Sequence, residues 1–153
     1  MARRSNSTAR AVLLAGLAAG AVDILAAFVI YRPATPVQIL QSIAAGLQGT
    51  AAFQGGWTSA GIGLAAHFLI SIAFAALYLG AAAAAPVLLR RPLAPGLAFG
   101  LFVYGVMNAV IVPLSLAPER PDPAPQMIGL GLLAHALFGL ALAFTAARAA
   151  PRR

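Results

Sequence analysis

The sequence predicts an all-α integral membrane protein, a bundle of four spanning helices. Three observations carry that prediction. The 153 residues are 61% hydrophobic and only 8% charged, with a mean hydropathy of +0.91. A soluble domain carries roughly 25% charged residues, so too few remain here to cover a water-facing surface. Apolar runs of about 20 residues recur, the length that crosses a hydrocarbon core about 30 Å thick. The third observation is polar. The two histidines of the chain stand in two copies of one motif, G-x-G-L-x-A-H-x-L, inside two of those runs.

Composition also excludes several classes. Cysteine is absent, which removes disulfides, thiolate metal sites and cysteine nucleophiles. The net charge of +7 comes from ten arginines that lie between or beyond the apolar runs. That placement fits membrane topology and anionic headgroups, so the lipid bilayer is the expected partner and nucleic acid is not.

Residues 1–10 are polar and basic and read as a cytoplasmic tail without regular structure. The first span covers about 11–31. A cleaved signal peptide is the rival reading, with Ala19-Gly20-Ala21 as the cleavage site. The apolar run continues past that site to Ile30, which favours an uncleaved helix. Gly16 and Gly20 form a G-x-x-x-G pair, and Asp23 falls near the middle of the run. In the following connection, Thr35-Pro36-Val37-Gln38 reads as an N-cap, a proline at N1 and a capping-box glutamine at N3. Ile39, Leu40, Ile43, Ala44 and Leu47 recur at helical spacing, with Gln38, Gln41, Ser42 and Gln48 largely opposite. The expectation is a short amphipathic helix, about 36–47, lying in the membrane interface. Tyr31 and Trp57 flank the connection as interfacial aromatics do.

The second span, about 58–85, contains the first histidine motif, Gly61–Leu69, and ends at Pro86. A short basic loop with Arg90 and Arg91 follows. The third span, about 95–116, carries a second G-x-x-x-G pair, Gly96 and Gly100, then Tyr104, Asn108 and Pro113 as a kink. The connection 117–126 holds four prolines and reads as stiff and extended. The fourth span, about 127–147, contains the second histidine motif, Gly129–Leu137. Residues 148–153 form a basic tail. Eight of the ten arginines lie in the two tails and the second connection. The positive-inside rule then places both termini in the cytoplasm, and four spans agree with that result.

The two histidine motifs share six identities in nine positions, and Gly16-Leu-Ala-x-Gly20 matches Gly96-Leu-Ala-x-Gly100. Each half reads as glycine-pair helix, loop, histidine helix. The expectation is a duplicated two-helix hairpin with its pseudo-axis along the membrane normal.

Each span contributes one strongly polar residue. At about 1.5 Å per residue, Asp23 and Asn108 lie roughly 18–19 Å from the cytoplasmic ends of their runs. His67 and His135 lie roughly 12–14 Å from the outer ends of theirs. All four fall at one depth, which predicts a buried layer of Asp23, His67, Asn108 and His135. Small residues share the histidine faces: Gly63 and Ser71 flank His67, and Gly131 and Gly139 flank His135, each four residues away. Such strips let helices approach closely. Tyr104 and Ser71 are the candidate supporting polar groups. A charged carboxylate near the bilayer centre costs about 2.5–3.5 kcal/mol. Asp23 is therefore expected to be neutral or to pair with a histidine.

Two formal matches carry no weight. The G-x-G-x-x-A runs at Gly61 and Gly129 lack the preceding strand that a dinucleotide fingerprint needs. Ser71 lies one turn from His67, but residues of this size in spans serve packing, and no catalytic residue is assigned.

A glycine-rich first helix, a His-centred second, an Asn-bearing third with proline near its end and a His-centred fourth follow one another over roughly 11–147. In this order the chain resembles small bacterial inner-membrane proteins and is distantly similar to the YagU-like group. In residues the similarity is limited to the surroundings of His67, Asn108 to Pro113 and His135. The resemblance implies an inner-membrane location and assigns no activity. Three functional classes follow from the polar layer. The first is a structural or accessory protein, oligomeric through its G-x-x-x-G faces or part of a larger membrane complex. The second is a proton- or ion-linked carrier with Asp23 and the histidines as relay or ligands. The third is a b-type haem protein with His67 and His135 as axial ligands. The first is preferred, which implies no enzyme activity and no cofactor; the identity of any metal is open.

Overall fold

In lipid every backbone amide must find its partner within the chain, and helices achieve this even through stretches rich in glycine. The computed structural model describes residues 2–119 and 121–150, with side chains from residue 7. No strand occurs among the described residues. The long helices are α1 (Ala2–Ile30), α3 (Gly56–Ala84), α5 (Leu93–Val106) and α6 (Pro125–Ala149). Between them lie two shorter helices, α2 (Pro36–Gln48) and α4 (Val87–Arg90). Four segments are long and apolar enough to cross a membrane: Ser7–Ile30, Gly56–Ala84, Leu93–Ile111 and Pro125–Ala149. Arg120, Arg152 and Arg153, which entered the arginine count, lie outside the described residues.

Two boundaries and the surroundings of one helix differ from the sequence expectation. The basic segment before Ala11 is not irregular, because α1 is helical from Ala2. The third span stops at Ile111 and not near Leu116. Pro113 is the cause. It has no N–H to give to the Ala109 carbonyl, and its ring crowds that carbonyl. The chain widens into a π turn over Met107–Ile111, in which the Val112 N–H donates to the Met107 carbonyl at 2.9 Å. Finally, the short helix α2 does form with the expected capping box: Thr35 Oγ1 accepts from the Gln38 N–H, and Gln38 Oε1 accepts from the Thr35 N–H. Most of its apolar face, however, is covered by protein, and only Leu47 at its end is left exposed. Ile39 and Leu40 pack with Ile24 and Ala60, and the Leu40 carbonyl sits where a Gly63 Cβ would be. Gln41 also turns inward. It is buried and donates from Nε2 to the Gly56 carbonyl, tying α2 to the start of α3.

The helices pack through small residues. Ala11, Ala15 and Ala19 repeat every four positions along α1 and are fully buried. They join Val103 of α5 and Phe138, Leu142, Ala143 and Ala146 of α6 in the main core. On the adjacent stripe of α1, Gly16 and Gly20 face α3. A Cβ on Gly16 would fall 2.7 Å from the Ile72 Cα, and one on Gly20 would fall 2.9 Å from a Phe68 ring carbon and from Ser71 Oγ. The second glycine pair does the same on α6. A Cβ on Gly96 would fall 2.9 Å from the Ala143 Cβ and 3.3 Å from the Leu140 Cα, and one on Gly100 would collide with the His135 carbonyl. Gly139 meets Gly96 and Gly100 from the other side. The G-x-x-x-G faces are therefore occupied within the chain, which corrects the expectation that they join copies of it.

α1 thus lies between α3 and α6, and α5 lies on the far side of α6. The α3–α5 side is closed by rings: Phe99 meets Tyr78 edge-on at 5.0 Å and Phe74 at 6.3 Å. The Tyr78 hydroxyl donates to the Leu88 carbonyl and so holds the α3–α5 connection against the bundle end. At the opposite end, the Leu116 N–H donates to the Gly46 carbonyl and joins the α5–α6 connection to α2. Large apolar side chains such as Leu25, Leu69, Leu101 and Leu133 point outward. Small residues line the helix seams while many leucines face outward, the arrangement lipid permits because tails solvate leucine as well as a core does.

Candidate functional site: a polar cluster beside α1

Asp23 is the next member of the Ala11–Ala15–Ala19 stripe, four residues on, and so it faces the interior. Its Oδ1 lies 4.0 Å from Nδ1 of His135 on α6. That distance exceeds hydrogen-bond range. The Nδ1–H instead donates to the Gly131 carbonyl, one turn back on its own helix, at 3.0 Å. Asp23 is thus a neighbour of the imidazole and not its hydrogen-bond acceptor. The two side chains are 20% and 21% exposed, so the pair is not sealed. Tyr104 of α5 meets the same imidazole edge-on at 5.2 Å, and its ring also fills the space beside Gly131.

His67 reaches α1 from the other side. Its Nε2–H donates to the Gly20 carbonyl at 2.9 Å. A side chain at Gly20 would hold the helices apart, so the glycine makes this bond reachable. The bond fixes the tautomer, because a carbonyl only accepts. Gly20 and Asp23 are less than one turn apart, about 4.5 Å of rise. The two histidines therefore approach neighbouring levels of one helix from α3 and α6.

Asn108 stands apart. It is exposed, and its Nδ2 donates to the Tyr104 carbonyl of its own helix at 2.9 Å. It closes the start of the π turn and reaches none of the other three residues. The expected four-residue layer is therefore not assembled. Gly63 likewise faces α2 and not the bundle interior. The Ser71 hydroxyl donates to the His67 backbone carbonyl at 3.0 Å and does not address the imidazole, so the two do not form a nucleophile–base pair.

The arrangement does not fit a haem between the histidines. The His67 nitrogen that would meet iron is held by Gly20, at a closed helix contact flanked by Phe68 and Ser71. Among the described residues, no three of His, Asp and Glu group as a metal site would require. What the cluster can do is hold helices together and place one carboxyl beside one imidazole. The α2–α3 seam was the feature sequence reasoning missed. The small residues Ala44, Ala45, Ala60 and Gly63 were its signal.

Comparison of the chain with protein-family models, with curated proteins and with solved structures returns no match in any of the three.

Proposed function

We propose that the chain is a structural or accessory protein of the bacterial inner membrane, multi-pass with both termini cytoplasmic, and without enzymatic activity. The observation that carries this reading is how its polar groups are used. His67 bonds a backbone carbonyl of another span, while His135 and Asn108 bond carbonyls of their own helices. The His67 bond fastens two spans, and interhelical bonds of this kind contribute about 0.6 kcal/mol on average; the other two groups are satisfied within their own helices. The inner-membrane location rests on the distribution of arginines and on the resemblance stated above.

The same reading takes the chain as a duplicated hairpin, and the packing register supports it. Gly16 sits on the residue five after His67, and Gly96 on the residue five after His135. Gly20 and Gly100 both approach the residue one after, Phe68 and Ala136, although Gly100 lies closer still to the His135 carbonyl. The halves diverge one turn before each histidine, where the Leu40 backbone covers Gly63 and the Tyr104 ring covers Gly131.

A proton-linked carrier is the second reading, favoured by the Asp23–His135 pair alone. Proton flux in reconstituted vesicles, measured for wild type and Asp23→Asn, separates the two. The structural reading expects no flux above that of empty vesicles and a folded, well tolerated variant. Wild-type flux that a folded Asp23→Asn variant loses would replace it with the carrier.

A further inference from the structure

The chain has three acidic residues: Asp23, Glu119 and Asp122. Glu119 and Asp122 lie in the α5–α6 connection, at the end of the bundle away from the termini. Asp23 lies deep in its span, about 20 Å along the helix from Arg10. The end that carries both termini thus has arginines and no Asp or Glu side chain. At that end the start of α1 and the end of α6 enclose a cleft of about 410 Å³, lined by Ser7, Arg10, Leu14, Arg148 and Ala149. One arginine from each of two spans, Arg10 and Arg148, lines it. The Arg148 guanidinium lies 5.7 Å from the Phe144 ring centroid, which orients it. Leu14, one turn deeper than Arg10, is 42% exposed and gives the cleft an apolar wall toward the bilayer.

We propose that this cleft binds the phosphate of an anionic lipid headgroup, with Arg10 and Arg148 as its ligands and Leu14 against the glycerol and upper acyl chain. Guanidinium forks match phosphate oxygens in pairs. Basic pockets between spans at a membrane face take anionic headgroups for this reason. The volume falls in the range of small-ligand sites, about 300–1,000 Å³. The lack of Asp and Glu side chains at this end supplies the need, and the apolar wall distinguishes a lipid from a soluble phosphate.

The test uses the purified full chain in neutral detergent, titrated with phosphatidylglycerol, with phosphatidylcholine and with inorganic phosphate. Retained lipid and thermal stabilisation are the readouts. The expected result is preferential retention of phosphatidylglycerol, weakened about 25-fold in Arg10→Gln/Arg148→Gln, at about fivefold for each arginine near the surface. Arg90→Gln/Arg91→Gln removes the same charge at the same end outside the cleft and should change retention less than about twofold. Equal weakening by both double variants, or equal retention of the two lipids by wild type, would overturn the proposal. Stabilisation by inorganic phosphate that phosphatidylglycerol does not exceed would overturn the lipid and leave a soluble phosphate. Should the cleft variant fail to fold, photoreactive phosphatidylglycerol on the wild type decides. Crosslinks to the Ser7–Leu14 segment are expected, and crosslinks spread evenly over the spans would refute it.

Discussion

Gly100 and Gly105 share one helix five residues apart and face opposite fates. A Cβ on Gly100 would collide with the His135 backbone carbonyl, which cannot swing away as a side chain can, whereas one on Gly105 meets nothing within 4 Å. Gly100→Ala is therefore expected to destabilise the bundle by about 1–3 kcal/mol, the usual cost of overpacking. Gly105→Ala should be neutral or stabilise by up to about 1 kcal/mol through helix propensity. Unfolding free energies in mixed micelles test the contrast, and a Gly100→Ala variant as stable as wild type would contradict the close α5–α6 contact. The seven glycines marked by the sequence for packing are all buried, while Gly61, Gly80, Gly105 and Gly129 are exposed. The four-residue offset from a histidine or from another glycine separated the two sets. Asn108 escaped that logic. Its depth matched the other polar residues, but depth says nothing about azimuth, and Pro113 had altered the turn beneath it.

Helices in this chain were legible where their signals are local. The capping box at Thr35 and the length of each apolar run depend on neighbours in sequence, and both appear nearly where expected. The partner of α2 was not legible, because an apolar face reads the same whether lipid or protein covers it. The end of α5 was misplaced because hydropathy continues through Leu114 and Leu116, while the hydrogen-bond ladder is interrupted at Pro113 and makes its last i to i−4 bond from the Leu114 N–H to the Val110 carbonyl. That ladder can be restored. In Pro113→Ala the new N–H can donate to the Ala109 carbonyl, and the Val112 N–H should move from the Met107 carbonyl to that of Asn108. The π turn should then close into α-helix. Amide exchange in micelles would show a protected amide at position 113, and a rapidly exchanging amide there would mean that Pro113 does not set the turn.

At the scale of the molecule, the ends differ in kind. Tyr78 and α4 close one, and α2 with the α5–α6 connection closes the other. Reporter fusions at Arg90 and at either terminus should report cytoplasm, and fusions near Gln48 and Asp122 should report the outside. A cytoplasmic signal at Gln48 would break the four-span topology. The position of α1 between both histidine helices also has a consequence for biogenesis. α1 is the first of the four spans to leave the ribosome and α6 the last. The seam between α1 and α3 can form as soon as α3 emerges, but Asp23 meets His135 only after every other span has entered the bilayer. Until then the carboxyl stripe of α1 faces lipid, insertase or chaperone. A nascent chain that stops before α6 leaves Asp23 without His135 as its neighbour, so this contact is completed only by the last span.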